Sequence, residues 1–380
     1  MKNKPFLMIS ALALFMFALT GCWDSLDLEQ RTSVVAIGID LTEDKKQYVI
    51  TVQIPIPQKI MGGAGAEKGE EAIKVMSAIG KTLNEALSNL QNRLNQQLFY
   101  GQARLIIFSE TAARAGIEET LDYFRRSPQM RRLLWPLVVR GKASELLQAN
   151  PRLEQLPSIF VMDLLETGVE RGIIPDVSLG QLFTDLSTAT AQATINYVSA
   201  TKDEVKWDGL AVFRGDKMVG TLQDDEVWAL LQIRDEKIAE GIDVPCMMDK
   251  TGGKKLVSFR PKSIKVKNAF SITGEESFSA KYHVRLEGDI IESQCDLDFT
   301  KLEVLEKLQG ELSKEAKRRA GQMVAKLQKE LHSDVLHLGL HARSQSTAWW
   351  SKEKWERAFP KGDIRVNYDV LIRRTGMETK

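Results

Sequence analysis

Ser33-Val34-Val35-Ala36-Ile37-Gly38-Ile39-Asp40 and Tyr48-Val49-Ile50-Thr51-Val52-Gln53-Ile54-Pro55-Ile56 flank a charged tip, Glu43-Asp44-Lys45-Lys46. Each run alternates apolar with polar or small residues, so one side of each is fit for burial, and together they predict a strand hairpin. Ala72 to Ala78 continues the period as a third strand. The period then changes: Leu83, Ala86, Leu87, Leu90 and Leu94 recur at three and four residues, the buried face of a helix. Gln102 to Phe108 returns to strand, Ile117 to Phe124 to helix, Leu133 to Arg140 to strand, and Ala143 to Ala149 to a short helix stopped before Pro151. This alternation predicts an α/β fold, with mixed sheets packed by helices.

Two more amphipathic helices are expected over Ser158 to Arg171 and Leu179 to Leu186. Ala193 to Val198, Asp208 to Phe213 and Met218 to Leu222 then read as strands, the last two joined by Arg214-Gly215-Asp216-Lys217, which suits a tight turn. Asp224-Asp225-Glu226 opens a helix through Trp228, Leu231 and Ile233, with acids placed where the helix dipole favours them. Ser263 to Val266 and the alternating run Phe278 to Ile291 read as paired strands. The longest helix follows over Lys301 to His332, where Leu305, Leu308, Leu312, Ala316, Ala320, Val324, Leu327 and Leu331 mark one stripe, expected to pack on its own sheet. Trp349, Trp350 and Trp355 are placed on a short helix, and Ile364 to Ile372 on a closing strand. Between these elements, Gly62, Gly63, Gly65 and Gly69 mark a flexible insert, and Asp249 to Lys255 a linker rich in Gly, Lys and Asp.

The N-terminus carries a different signal. Lys2 and Lys4 precede the uncharged run Phe6 to Ala18, which ends in Leu19-Thr20-Gly21-Cys22. A short positive region, an apolar run and small residues before a cysteine form a lipoprotein leader, cut between Gly21 and Cys22. Cys22 would then carry a diacylglyceryl group, with N-acylation also open to it. Two or more acyl chains hold a protein stably at about 0.8 kcal/mol per buried CH₂, whereas one holds it marginally. Pro5 to Gly21 is shorter than the roughly 20 residues a spanning helix needs.

Loss of residues 1–21, which hold two lysines and no acid, leaves 50 basic against 51 acidic groups. This balance does not suit a nucleic-acid binder, which usually carries a basic excess or stripe. Lys317-Arg318-Arg319 sits among glutamates and reads as a solvated helix face. Of the 3 cysteines, only Cys246 and Cys295 remain beside Cys22. They could pair in an extracytoplasmic protein, but a chain with room for sizeable cores does not need the staple, and separate thiols are the simpler expectation.

No catalytic or metal set emerges. Ser199-Ala200-Thr201-Lys202 and Lys250-Thr251-Gly252 match two short motifs of penicillin-binding enzymes, but the first ends a strand instead of lying on a helix, and the middle motif has no candidate between them. His337 and His341 stand at i, i+4 with His332 nearby, yet the segment lacks a glutamate after the first histidine and Gly339 weakens the helix. The expected assignment is therefore no enzyme, no metal and no cofactor beyond the covalent lipid on Cys22.

The run Gly21-Cys22-Trp23-Asp24-Ser25-Leu26-Asp27-Leu28-Glu29-Gln30-Arg31 resembles the mature start of the Ger(x)C spore germination lipoproteins. Val35 to Asp40 resembles that family's first strand, Asn84 to Leu94 its first helix, Gly209-Leu210-Ala211-Val212-Phe213 with Met218-Val219-Gly220 a hairpin opening its C-terminal region, and Ile372-Arg373-Arg374-Thr375-Gly376 its final strand. The resemblance implies a three-domain α/β body on the outer face of the spore inner membrane. It would be the C subunit of a nutrient germinant receptor, partnered by a multi-pass A subunit and a transporter-like B subunit. The expected division is a leader over 1–21, a lipidated tether over 22–32, an N-terminal domain over 33–196, a small middle domain over 197–255 and a C-terminal domain over 256–374. Within the tether, Trp23, Asp24, Glu29 and Arg31 are candidate contacts to membrane lipid or partner subunits. The competing class is a solute-binding lipoprotein of a transporter, which needs two similar lobes around a cleft; no internal repeat is visible.

Overall fold

The computed structural model describes residues 31–56, 72–151, 154, 156–246 and 255–375. The leader, Gly21, Cys22, Trp23, Asp24, Glu29, the glycine-rich insert and Lys250-Thr251-Gly252 lie outside these residues.

A three-residue strand, β1 (Arg31–Ser33), leads into β2 (Ala36–Leu41), β3 (Tyr48–Pro55) and β4 (Ile73–Gly80), which pair antiparallel in sequence order from β2 to β4. Helix α1 (Leu83–Gln91) is started by Thr82, whose hydroxyl accepts from the Glu85 amide at 3.1 Å, while the Glu85 carboxylate accepts from the Lys81 amide. The pair satisfies one amide that the first turn leaves open and the amide just before the cap. β5 (Gln97–Phe99) runs parallel to β1, and β6 (Leu105–Ser109) returns parallel to β2. Then come α2 (Glu110–Ala115), α3 (Glu118–Arg126), β7 (Trp135–Arg140), α4 (Ala143–Gln148), α5 (Pro157–Glu170) and α6 (Leu179–Ser187). β8 (Thr194–Ala200), β9 (Val205–Arg214) and β10 (Lys217–Leu222) close an eight-stranded sheet of order β10-β9-β8-β7-β6-β2-β3-β4.

The four central strands, β8, β7, β6 and β2, are parallel and flanked by antiparallel hairpins. Their side chains alternate between two cores. Ile37, Ile39, Ile106, Phe108 and Val138 pack with Leu90 of α1, Leu121 of α3 and Leu182 of α6. Ala36, Leu105, Ile107, Leu137 and Val139 pack with Leu146 of α4 and Leu165 of α5. Burial on both faces is what a parallel sheet centre requires, and it explains the near-continuous apolar runs.

The second half begins with α7 (Asp224–Ile233) and β11 (Ile242–Pro245). The long hairpin of β12 (Leu256–Gly274) and β13 (Ser277–Ser293) follows, then α8 (Leu302–Lys326), α9 (Leu338–Gln345), α10 (Lys352–Ala358) and β14 (Asp363–Arg374). The strands form a four-stranded sheet of order β11-β12-β13-β14, with β14 parallel to β13. Phe278, Ala280, Tyr282, Val284 and Leu286 point to the core, against Leu308, Leu312, Ala316 and Ala320 of α8. The stripe on α8 thus packs within its own unit. α8 also covers the outer edge of β14: Ser313 Oγ accepts from the Val370 amide at 3.1 Å and Gln309 Oε1 from the Ile372 amide at 2.9 Å.

Three expectations change. The segment 197–255 has no sheet of its own among the described residues. Its strands β9 and β10 extend the N-terminal sheet, while α7 joins the C-terminal core and β11 its sheet; Ala211, Phe213 and Met218 face the N-terminal core and Leu210, Val212 and Leu222 the C-terminal one. The helix expected through His332 stays α-helical only to Lys326, then widens into a π-turn, Leu327–Leu331, that ends at His332 in a left-handed conformation (φ 47°). Of the three tryptophans, only Trp355 lies in α10; the Trp349 indole N–H instead donates to the Gly274 carbonyl at 2.9 Å.

Candidate functional site

The described residues begin at β1. The Val34 amide donates to the Phe99 carbonyl at 2.9 Å, and Thr32 Oγ1 donates to Gln96 Oε1 at 3.0 Å. Arg31, expected in the tether, belongs to this folded pairing, with its guanidinium 4.8 Å from the Phe99 ring centroid. A cation over an aromatic face contributes about 0.5–1 kcal/mol at an exposed site. Beside β5 lies an open groove of about 240 Å³, lined by Asn84, Gln91, Gln97, Tyr100, Tyr123 and Gln129 among others. Two of its amides brace the strand: Gln91 Oε1 accepts from the Leu98 amide at 2.8 Å, and Gln129 Oε1 from the Tyr100 amide at 3.2 Å.

Where the two sheets meet, a smaller cavity of about 170 Å³ is walled by Trp207, Trp228, Asp224, Asp225, Glu240 and Arg319. Much of its charge is paired. Arg319 contacts Asp225 at 3.2 Å and Glu315 at 3.1 Å and lies over Trp228, while Glu240 pairs with Arg171 at 2.7 Å. Trp228 donates its indole N–H to the Glu240 carbonyl at 2.7 Å.

A buried carboxylate lies between the π-turn and α9. Asp334 Oδ1 accepts from the Leu338 amide at 3.1 Å, and Oδ2 accepts from the Gly339 amide at 2.7 Å and from Trp355 Nε1 at 3.1 Å. The carboxylate therefore caps α9 and anchors α10. Burial pushes its pKa up to about 6 despite those three donors. Ser333 beside it donates to the Phe213 carbonyl on β9 at 2.6 Å, tying the C-terminal unit to the large sheet. His337, left-handed at φ 59°, is held below the ordinary imidazole range by burial first and by the Arg234 charge second. Burial raises the neighbouring Asp185 carboxyl, opposed by His337.

His341 lies inside α9, stacked 6.1 Å from Phe270, so Gly339 does not stop that helix. Among the described residues, no three His, Cys, Asp or Glu side chains converge as a metal site. Ser199 lies near the end of β8, one residue before its last, and Lys202 follows in the turn to β9.

Cys246 and Cys295 form a disulfide, with Cα atoms 6.3 Å apart, in place of the two separate thiols expected. The strand register brings them together: Pro245 opposes Leu256, Val257 opposes Ser293, and the Cys246 amide donates to the Lys255 carbonyl. β11 was not read from the sequence, and without it the approach of the two thiols was invisible. The Ser333–Asp334 pair was missed as well, although Ser or Asp shortly before an apolar helix is a start signal.

An eight-stranded α/β sheet coupled to a smaller mixed sheet, with its buried charges used as braces, defines a two-sheet α/β body. Two family descriptions match it, the spore germination protein N-terminal domain over residues 24–200 and the spore germination B3/GerAC-like C-terminal region over residues 208–376. The chain belongs to the Ger(x)C family of spore germination proteins.

Among its relatives are the putative spore germination protein YfkR and spore germination protein B3 of Bacillus subtilis. Each is 28% identical over 96% of this chain, covering 95% and 96% of their own lengths respectively. Spore germination protein KC of the same organism is 25% identical over 96% of this chain and 94% of its own. The crystal structure of the GerBC protein shares the fold, with a TM-score of 0.56 and 21% identity over 88% of this chain and 96% of that one. These relatives assign the chain a role in spore germination and a spore-associated location.

Proposed function

We propose that this chain is the lipid-anchored C subunit of a nutrient germinant receptor, which acts without catalysis by holding multi-pass A and B partner subunits in a working arrangement at the outer face of the spore inner membrane. The observation that carries the proposal is positional. The match to the family begins at residue 24, two positions after Cys22, so the leader ends where the family body starts. No helix among the described residues is long and apolar enough to cross a membrane. An acyl anchor supplies the attachment, and confinement to the surface raises the effective concentration near membrane partners without new contacts. Two unlike sheets, of eight and four strands, favour this reading over the solute-binding lipoprotein, which needs matching lobes.

Metabolic labelling with palmitate and a nutrient germination assay test the proposal together. Wild-type chain should take up label, and Cys22→Ala should lose both the label and the nutrient response. An unlabelled wild-type chain with an intact leader, or Cys22→Ala spores that germinate normally, would overturn it.

A further inference from the structure

The four-stranded sheet buries one face and leaves the other bare. Strand alternation sends Lys265 and Lys267 of β12, Lys281, His283 and Arg285 of β13, and Arg365 of β14 to the same outer surface, where all six are exposed. The register makes them neighbours: Lys265 opposes Arg285, Lys267 opposes His283, and Lys281 opposes Arg365. Adjacent strands lie about 4.8 Å apart and alternate residues about 7 Å apart along a strand, so the cations form a close grid.

The acids on this face are already engaged. Asp363 holds Arg365 at 2.8 Å, Glu287 holds Arg373 and Arg285, and Asp369 stands 3.9 Å from Arg285. Lys265, Lys267 and Lys281 form no direct ion pair among the described residues; Lys265 acts on Glu287 and Lys281 on Asp363 only at longer range, and both acids are already held by arginines, so the face keeps an excess of positive charge.

Lysines on a sheet often guard an open edge against further strand pairing. β11 covers β12 only from Leu256 to Phe259, so that purpose can account for Lys265 and Lys267. It cannot account for Lys281, which lies on β13 between β12 and β14, nor for Arg365 on β14, whose edge α8 already covers. Neither of the two cavities described above opens among these residues. A broad cationic face without a pocket suits a plane of phosphates better than a single enclosed anion.

We infer that the open face of the four-stranded sheet, centred on Lys265, Lys267 and Lys281, docks on an anionic lipid surface and thereby sets the orientation of the body on the bilayer. The attraction is electrostatic, so it weakens with salt. It is independent of the acyl anchor, because the sheet reaches the phosphates through side-chain charge alone.

The test uses the chain from residue 22 with Cys22→Ser, which has no acyl group and retains every described element. Flotation with vesicles containing phosphatidylglycerol should recover this chain at low salt, and pure phosphatidylcholine vesicles should not. Lys265→Gln, Lys267→Gln and Lys281→Gln together should lower partitioning about a hundredfold, at about fivefold per lysine. The equally exposed control triple Lys202→Gln, Lys307→Gln and Lys329→Gln should bind like the parent. Absence of binding to anionic vesicles, equal binding to both vesicle types, or equal loss in both triples would overturn the inference. Retention on a polyglutamate resin without vesicle binding would reassign the face to an acidic protein partner. Failure here leaves Cys22 labelling unaffected, so the two proposals fail separately.

Discussion

Asp334 makes the stability of this protein depend on pH in a direction opposite to that of an ordinary paired carboxylate. Its pKa in the folded chain is about 6 against an ordinary 3.8, so the folded state holds the proton more tightly than the unfolded state. Stability from this residue is therefore fully present below about pH 4 and is lost as pH rises through about 6. At about 1.4 kcal/mol per tenfold change in proton affinity, the loss is about 3 kcal/mol. Asp334→Asn cannot ionise and should abolish this dependence, although its amide must face one of the three donors now bound by the carboxylate. Urea unfolding followed by tryptophan fluorescence between pH 4.5 and 7.5 measures both proteins, and the difference between them isolates Asp334 from Asp185, His337 and Asp40, which titrate in each. The wild-type advantage should shrink by most of that 3 kcal/mol across the range. Parallel curves, separated by a constant amount, would refute the assignment of a raised carboxyl.

Removal of the disulfide with Cys295→Ser should cost about 2–4 kcal/mol, given the 49-residue separation of the two cysteines. Dithiothreitol should bring the wild type down to the mutant's stability; a wild type indifferent to reductant would contradict the bond. Gly209→Ala should destabilise by roughly 2 kcal/mol or more, because φ is 118° and an added Cβ would run into the Leu222 carbonyl. Gly215→Ala, at φ 61° with open space around it, should cost only about 1 kcal/mol in the same denaturant assay.

Elements with a strong internal period were legible in the sequence. The Ser33–Ile56 hairpin, the Leu83 helix and the alternating Phe278–Ile291 strand each carry their own burial pattern, and each is present within a few residues of the expected limits. What was not legible depends on partners far along the chain. β1 and β5 are three residues each, too short to show a period, and exist because Val34 and Phe99 meet. β12 was expected only over Ser263 to Val266, yet it runs for 19 residues; the inner face of its second half is only partly buried, and pairing with β13 supplies the order that burial does not. The assignment of 197–255 was obscured because β9 and β10 serve two cores at once, one face packing in the N-terminal core and the other with the helix that follows them.

Of the candidate site, the Lys2 to Cys22 pattern on which the proposed anchor rests was legible, because it is a linear run of residues. Asp334 and the cationic face were not, since each assembles residues from separate elements. Three lysines in a composition with almost no net charge carry no signal until a register places them side by side.

β14 lies parallel to β13, and the chain reaches it only after the whole of α8, α9 and α10. Its pairing of Ser279 with Asp363 spans more than eighty positions, so this sheet ranks among the late-closing, non-local topologies. As the chain is made, the C-terminal core cannot be completed until the dozen residues of β14 have emerged. Any premature stop before Asp363 would leave the inner edge of β13 unpaired and ready to stick to whatever strand it meets.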